Sequence, residues 1–306
     1  MFTDKLNGRD MSKKSFNRHS RYRYIPITER PEFEWPEEKR LAVYICNNVE
    51  VFSFPAGTDL NLGPQTSMET IRDYAWKDYG NRVGLWNLFD LLDEYCFPAS
   101  HNVNGKIFEE CPQIAQRIVE RGDEFIAHGR TNSERQDQYK QAEESKLIAE
   151  SAEAIRKFTG EAPKGWLGPF LAQTSVTPDL LKELGFHYQL DWPADDQPFW
   201  INTQSGPILS VPYSVELNDV ASMVYRQHSV SEFERMLIDQ FDEMLEQSNK
   251  WSLVYSIVLH PYVTGQPHRL RSFRRVLTHI EKYRDQVWIT TPGRIADYFA
   301  EKISPT

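Results

Sequence analysis

The chain has 306 residues, of which 40% are hydrophobic and 26% are charged. That length supplies one large α/β domain or two small ones, and the composition is that of an ordinary globular protein. The net charge is −9 and no block of Lys and Arg stands out, so we expect no nucleic-acid partner. No apolar run approaches the roughly 18 residues of a membrane span, and the N-terminus lacks a signal-peptide pattern. We therefore expect a cytoplasmic protein with no membrane partner.

The first 38 residues differ from the rest of the chain. They are polar and basic and contain several prolines, as in RYRYIPITERPEFEWPEEKR. Their aromatic residues argue against full disorder, because such residues are sparse in disordered chains. We predict an extended arm over residues 1–38 that wraps its own domain or a neighbouring subunit, followed by one domain over residues 39–306.

From residue 40 onward, strand and helix patterns alternate. Strand patterns cover 41–48, 100–105, 123–129, 165–169, 186–192, 208–213 (strand or turn), 253–261 and 286–292. Helical patterns cover 83–95, 111–122, 134–160, 177–185, 229–248 and 268–283. Alternation of this kind predicts parallel strands joined by crossover helices. Six or seven such units without a long linker favour a single closed (β/α) barrel over two domains.

Polar side chains stand at or just after the ends of several predicted strands. They are Asn47, Asn48 and Glu50; His128 and Asn132; Asp191, Asp195 and Asp196; Glu216, Asn218 and Asp219; and His260. In a (β/α) barrel the carboxyl ends of the strands meet at one mouth, where catalytic groups lie. The pattern therefore predicts a shared polar rim. Asp195 with Asp196, and Asn218 with Asp219, are equally consistent with ordinary turns.

Eight stretches carry a family resemblance. They are YICNNVE (44–50), DYGNRVGLW (78–86), FIAHGRTNSE (125–134), APKGWLGP (162–169), LDWPADDQPFW (190–200), SVPYSVELND (210–219), LHPYVTGQP (259–267) and VWITTPGRIADYF (287–299). Together they resemble the polysaccharide deacetylase superfamily, whose members are deformed (β/α) barrels that hydrolyse carbon–nitrogen bonds. The resemblance is greatest to the branch that contains metal-independent allantoinases and cyclic imide hydrolases.

The resemblance implies a site with a changed metal set. Metal-dependent members place an aspartate base and an aspartate ligand after the first strand, and two histidines four residues apart after a later strand. Here Asn48 (or Asn47 in the other register) stands at the base position and Glu50 at the ligand position. His128 matches the first histidine, and Asn132 replaces the second. Because a neutral amide is a poor zinc ligand, we predict no bound cofactor, with a weak divalent metal on Glu50, His128 and Asn132 as the alternative.

Chemistry without a metal requires other groups to activate water and to protonate the leaving nitrogen. Glu50 is the candidate general base, because it is the only carboxylate at the end of the first predicted strand. The resemblance implies that His260 is the general acid for the leaving nitrogen. His128 and Asn132 are expected to orient the substrate or to stabilise the oxyanion. Arg82 is expected either to bind the substrate or to pair with Asp78. The remaining predicted substrate-binding residues are Asn48, Trp166, Asp191, Asp195 and Asp196.

Three functions are consistent with these residues. The first is a hydrolase of a small cyclic amide, ureide or imide. The second is a metal-dependent deacetylase of an N-acetyl sugar, and the third is an inactive barrel that acts as a binding protein. The expected partner is a small-molecule substrate, and the resemblance implies a homo-oligomer.

Overall fold

The computed structural model describes residues 18–54 and 71–305. The strands are β1 Leu41–Val49, β2 Ser100–Val103, β3 Glu124–Ala127, β4 Gly165–Trp166, β5 Tyr188–Gln189, β6 Phe199–Ile201, β7 Ile208–Ser210, β8 Leu253–Leu259 and β9 Val287–Ile289. The helices are α1 Ile71–Tyr79, α2 Leu85–Glu94, α3 Ile107–Glu110, α4 Pro112–Arg121, α5 Gln141–Thr159, α6 Thr177–Glu183, α7 Val230–Gln247, α8 Pro261–Thr264, α9 Pro267–Glu281 and α10 Pro292–Lys302. Within these two ranges, no helix has the length and apolar character needed to cross a bilayer.

The strands form one curled sheet, called the barrel below, in the order β6-β7-β5-β4-β3-β2-β1-β8. All neighbours pair in parallel except β6 and β7. On the edge of β1 opposite β8, β9 pairs with the first three residues and β2 pairs with the last four. The deformed (β/α) barrel predicted from the sequence is confirmed, with the antiparallel β6 as an addition.

Strand β1 pairs with β8 on one edge and with β2 and β9 on the other, and it is buried along its whole length. Because side chains alternate along a strand, it contributes to two separate cores. Leu41, Val43 and Ile45 pack against the outer helices α2, α7 and α9. Ala42, Tyr44 and Cys46 face the interior of the barrel, which α10 closes from below with Ile295 and Phe299. This alternation decides which polar residues at the end of β1 point inward.

Helix ends follow the local signals in the sequence. Gly122 ends α4 and Gly160 ends α5, each in the left-handed conformation with a φ of 68° and 85° respectively. Ser229 begins α7 with a capping box that Glu232 completes. The predicted start of α5 is wrong, because residues 134–140 form a loop with one short 3-10 turn and the helix begins at Gln141. Helices α1, α3, α8 and α10 and strand β6 were not predicted.

The described part of the arm, residues 18–38, packs on its own barrel. Trp35 is buried, and its indole nitrogen donates to the carbonyl of Leu253 over 3.0 Å. Arg21 forms an ion pair with Asp179 at 2.6 Å. Residues 1–17 of the predicted arm lie outside the described residues. The arm as a separate unit and the homo-oligomer both stay predictions.

Candidate active site

The site begins at the end of β1, where the alternation of side chains separates two neighbouring asparagines. Asn48 points into the barrel, as does Glu50 directly after the strand. Asn47 points the other way, and its amide nitrogen lies 3.5 Å from Nδ1 of His101. The structure therefore places Asn48, and not Asn47, at the position that the resemblance gives to the base.

Three side chains gather around one oxygen of Glu50. The amide nitrogen of Asn132 donates to Glu50 Oε1 over 2.6 Å. The Nε2 atoms of His128 and His260 lie 3.5 Å and 3.7 Å from the same oxygen. Each of the four residues, Glu50, His128, Asn132 and His260, has less than 10% of its surface exposed to solvent. Residues separated by more than 200 positions in the chain thus form one compact cluster, as the strand-end pattern predicted.

His260 is held by a second carboxylate that lies behind it. Nδ1 of His260 lies 2.7 Å from Oδ1 of Asp219, and Thr264 donates to the other carboxylate oxygen over 2.6 Å. Burial alone would lower the pKa of His260, but the nearby carboxylates of Glu50 and Asp219 outweigh it and raise the pKa above its ordinary value. Since Asp219 only accepts, Nδ1 carries a hydrogen and Nε2 is directed toward Glu50.

His128 has its tautomer set by a backbone carbonyl. Its Nδ1 lies 2.7 Å from the oxygen of Leu167, so Nδ1 carries the hydrogen and neutral His128 has a lone pair on Nε2. Within the described residues, Nε2 is buried and has no hydrogen-bond partner. In its neutral form, His128 therefore presents Nε2 to the pocket as a hydrogen-bond acceptor. The expected role of His128, which is to orient the substrate or to stabilise the oxyanion, stays a prediction.

The cluster lies at one side of a pocket of about 260 Å³. Its polar lining is Asn48, Glu50, His128, Asn132, Asn218 and His260, and its aromatic lining is Phe52, Phe170, Tyr213, Tyr225 and Tyr262. Among the described residues that line it, Glu50 is the single carboxylate and there is no Lys or Arg. Residues 55–70, which follow β1 in the chain, contain no Lys or Arg either. The pocket is therefore small, aromatic and without a fixed cation from these segments.

The pocket does not include the other five predicted substrate-binding residues. Arg82 has 76% of its side chain exposed and lies 3.9 Å from Asp78, so the salt-bridge alternative is the one observed. Trp166 is fully buried against Phe186 in the core beside α5 and α6. Asp195 pairs with Arg30 of the arm at 2.6 Å, and Asp196 next to it is exposed.

Asp191 lies close to the pocket without lining it. It is buried at the end of β5, and its Oδ1 accepts from the backbone nitrogen of Gly168 over 2.8 Å. Gly168 and Leu167 both line the pocket, and Leu167 also sets the tautomer of His128. Asp191 therefore supports the wall of the site from behind.

The DYGNRVG stretch supports the site through its glycines and its asparagine. Residues Gly80–Gly84 form a π-helical turn against α8, which follows His260 directly. A Cβ on Gly84 would lie 2.1 Å from the carbonyl oxygen of Pro261, so no larger residue fits without moving α8. Asn81 donates to the backbone oxygen of Glu50 over 2.7 Å. This stretch therefore fixes both Glu50 and the turn that carries His260.

Sequence reasoning missed two polar residues that the structure brings to the site, Tyr213 and Asn104. It named Asp219 as a possible rim residue and left a turn former as the alternative. Asn104 donates to Asn132 over 3.3 Å and accepts from the backbone nitrogen of Val51 over 2.9 Å. Asn104 lies just past the end of β2, so the strand-end rule applied to that strand would have found it. No local signal marks Tyr213.

The chain resembles known proteins in its sequence and in its fold. Residues 76–189 match the family model described as polysaccharide deacetylase. A peptidoglycan deacetylase of Helicobacter pylori is 25% identical over 273 residues, which cover 79% of this chain and 92% of that protein. The chain therefore contains a polysaccharide deacetylase domain, and its similarity to such proteins extends over most of its length. It is accordingly a hydrolase of carbon–nitrogen bonds other than peptide bonds.

Two solved structures show the same fold over nearly the whole chain. PuuE allantoinase superposes with a TM-score of 0.84 and 24% identity, covering 93% of this chain and 99% of that one. A probable polysaccharide deacetylase from Pseudomonas aeruginosa PAO1 superposes with a TM-score of 0.82 and 24% identity, covering 91% and 97%. At this level of identity the likeness establishes the fold.

Many polysaccharide deacetylases use a divalent metal, but the donor set here does not fit the family's zinc site. Glu50 and His128 present oxygen and nitrogen lone pairs, but the third position is Asn132. Because the Glu50 carboxylate only accepts, Asn132 must turn its NH2 group toward Glu50, and its oxygen accepts from Asn104. Over residues 18–54 and 71–305, no three His, Cys, Asp or Glu side chains are arranged to hold a metal. The absence of a metal cofactor stays a prediction.

Proposed function

We propose that this chain hydrolyses a small, uncharged cyclic amide, ureide or imide, with Glu50 as general base and His260 as general acid. The observation that carries the proposal is the cluster around Glu50 Oε1, in which Asn132 donates a hydrogen bond and the Nε2 atoms of two histidines lie within 3.7 Å. This arrangement supplies a base, an acid and fixed hydrogen bonds without a third metal ligand.

The first step is attack by water. Asn132 donates a hydrogen bond to Oε1 of Glu50, whereas Oε2 of Glu50 accepts none from the described residues. Nε2 of His128 is a second buried acceptor in the same pocket. These two acceptors suit the two hydrogens of one water molecule, so His128 orients the water while Glu50 takes its proton. The water oxygen bonds to the carbonyl carbon and gives a tetrahedral intermediate.

The second step breaks the carbon–nitrogen bond. His260 has a raised pKa, so its protonated form is favoured, and Nε2–H gives its proton to the leaving nitrogen. Asp219 stabilises the imidazolium through Nδ1. The proton that Glu50 removed from water then returns to His260, whose Nε2 lies 3.7 Å from Glu50 Oε1. The net reaction adds one water molecule across the bond and restores both side chains.

The pocket limits the size and charge of the substrate. The pocket volume of about 260 Å³ lies just below the usual range of about 300–1,000 Å³ for small-molecule sites. That suits a five- or six-membered ring with short substituents. An anionic substrate would meet the carboxylate of Glu50 without a Lys or Arg among the described lining residues, and the protonated His260 is already paired with Asp219 and Glu50. Aromatic lining residues suit a flat, neutral ring.

The second candidate is deacetylation of an N-acetyl sugar. It is supported by the relatives, which include the Helicobacter pylori protein named peptidoglycan deacetylase. The replacement of the second histidine by Asn132 and the small pocket favour the cyclic amide instead. The third candidate, an inactive binding protein, is disfavoured by the intact cluster of Glu50, His128 and His260 at the pocket.

The test is a turnover screen with the purified full-length protein. Hydantoins, allantoin, cyclic imides and N-acetyl sugars are incubated with the protein in chelator and, separately, with added zinc. We expect turnover of one uncharged cyclic amide in chelator. Glu50→Gln should lower kcat by about 10²- to 10⁴-fold, the usual contribution of a general base. Glu183→Gln, at the exposed end of α6, is the matched control and should keep full activity.

Two results would contradict the proposal. One is deacetylation of an N-acetyl sugar only when zinc is added, which would establish the second candidate. The other is a Glu50→Gln protein that hydrolyses the cyclic substrate at the wild-type rate, which would remove Glu50 from the reaction.

A further inference from the structure

A tyrosine that lines the pocket has a hydroxyl whose only hydrogen-bond partner among the described residues is the side chain of Asn48. Tyr213 is 2% exposed and lines the pocket beside Asn48. Its hydroxyl oxygen lies 3.2 Å from the amide nitrogen of Asn48 and 3.3 Å from the amide oxygen. The other hydrogen bonds of the Asn48 side chain decide whether the Tyr213 hydroxyl mainly accepts from the amide nitrogen or donates to the amide oxygen.

Asn48 is fixed by two partners other than Tyr213. Its amide nitrogen donates to the carbonyl of Leu259 over 3.2 Å, and a carbonyl only accepts, so the amide cannot be flipped. Its amide oxygen already accepts from Asn102 over 2.9 Å. The second hydrogen of the amide nitrogen is therefore directed at the oxygen of Tyr213. The hydroxyl of Tyr213 also donates to Asn48 Oδ1 over a longer distance of 3.3 Å. When a substrate oxygen is present, the hydroxyl hydrogen can turn from Asn48 Oδ1 to the substrate, because Oδ1 keeps its bond from Asn102 and the Tyr213 oxygen keeps its bond from Asn48 Nδ2.

The proposed reaction needs such a donor, because the other polar groups in the cluster are already used. The NH2 group of Asn132 donates to Glu50, and the N–H of neutral His128 donates to Leu167. The Nε2–H of His260 serves the leaving nitrogen. The negative charge that develops on the carbonyl oxygen in the tetrahedral intermediate therefore requires a hydrogen-bond donor from elsewhere.

We propose that the hydroxyl of Tyr213 donates a hydrogen bond to the substrate carbonyl oxygen and stabilises the oxyanion. The assignment rests on the proposed function of the site. Asn48 lies two residues before Glu50 on the same face of β1, so Tyr213 lies one step deeper than the base. The carbonyl oxygen then points inward, and the carbon faces the water held by Glu50. Tyr213 keeps its proton throughout, and burial raises its pKa well above the usual value.

The experiment compares Tyr213→Phe with wild type on a substrate that the screen has identified. Loss of one oxyanion donor costs about 10²- to 10³-fold in kcat. We expect that loss with little change in KM, and a smaller loss for substrates whose carbonyl is already activated by electron-withdrawing groups. Tyr44→Phe is the matched control, because it removes another buried hydroxyl that donates to Pro212 over 2.5 Å outside the pocket lining. It should retain the wild-type kcat.

A second variant tests the role of the Tyr213 hydroxyl without changing the shape of the side chain, so that a folding defect cannot explain the result. Replacing Tyr213 by 3,5-difluorotyrosine through genetic-code expansion preserves the shape and makes the phenol more acidic. We expect undiminished kcat at neutral pH and a new loss of activity at high pH, where the phenol ionises and no longer donates. A side chain with a purely structural role would not add this limb.

The outcomes separate the two proposals. Wild-type turnover that Glu50→Gln abolishes, together with normal kcat in Tyr213→Phe, would overturn the role of Tyr213 and leave the function standing. An unchanged pH profile in the fluorinated protein would overturn it equally. A wild-type protein that hydrolyses none of the screened amides would remove the function and, with it, this assignment.

Discussion

Asp191 offers a direct test of how burial acts in this fold. Burial raises the pKa of its carboxyl from 3.8 to about 8, and the hydrogen bonds from Gly168 and Gln173 offset only part of that effect. In the unfolded chain the pKa is about 3.9. Between these two values the folded protein keeps a proton that the unfolded chain has lost. Stability therefore falls as pH rises from about 4 to about 8, and it is level above that range.

Asp191→Asn removes this dependence, because an amide does not ionise. Its oxygen can still accept from the backbone nitrogen of Gly168, as Oδ1 does over 2.8 Å. One pKa unit corresponds to about 1.36 kcal/mol, so the three units between pH 5 and pH 8 correspond to about 4 kcal/mol. The buried NH2 group costs about 1–3 kcal/mol at every pH, since Oδ2 has no hydrogen-bond partner among the described residues. We expect little gain at pH 5 and a gain of about 2–4 kcal/mol at pH 8.

The assay is urea unfolding followed by tryptophan fluorescence at pH 5, 6, 7 and 8. The quantity of interest is the difference between the free energies of unfolding of Asp191→Asn and wild type, which should grow with pH. Asp90→Asn, on the exposed face of α2, is the control and should show a constant difference near zero. A difference for Asp191→Asn that stays equal from pH 5 to pH 8 would refute the reasoning, because the folded carboxyl would then titrate in its ordinary range.

Two further predictions concern the cluster around Glu50. The raised pKa of His260 means that its protonated form is lost only above the ordinary histidine range, so kcat should fall as pH rises through that value. His260→Asn should remove this limb and lower kcat by about 10²- to 10⁴-fold, with a smaller loss for nitrogens that leave easily; a profile with the same basic limb would exclude His260 as the acid. Asn132→His should raise zinc affinity in calorimetric titrations, because it adds a ligand beside Glu50 and His128, whereas wild type should retain little stoichiometric zinc by elemental analysis. Wild type with one tightly held zinc per chain would contradict the second prediction.

The sequence predicted the fold and the main members of the site for a local reason. Buried strands of a parallel sheet appear as continuous apolar runs, and each run ends where the chain leaves the sheet. Polar residues at those ends identified Glu50, His128, Asn132 and His260, and the barrel brings all four into one pocket. Helix ends at Gly122 and Gly160 were likewise predictable, because glycine adopts the left-handed conformation there.

In three cases, a position near a strand end or in a matching motif did not suffice to predict a residue of the pocket. Asp195 and Asp196 follow β5 closely in sequence, but neither lines the pocket. Arg30 of the arm forms an ion pair with Asp195. Trp166 lies on β4 but packs against Phe186 in the core beside α5 and α6. Arg82 lies in a stretch that carries the family resemblance, but its side chain is exposed next to Asp78. The glycines on either side of it, Gly80 and Gly84, pack against α8.

The sequence by itself thus determined the order of strands and helices and which segments end at the rim, because both follow from the spacing of apolar residues along the chain. The tertiary structure alone decided which side chains meet. Asn48 contacts Tyr213, which lies 165 positions further along the chain, and Asp219 contacts His260, which lies 41 positions further along. Such contacts depend on the inward or outward direction of each side chain on the curled sheet. That direction is fixed when the two faces of β1 pack against the outer helices and the barrel interior.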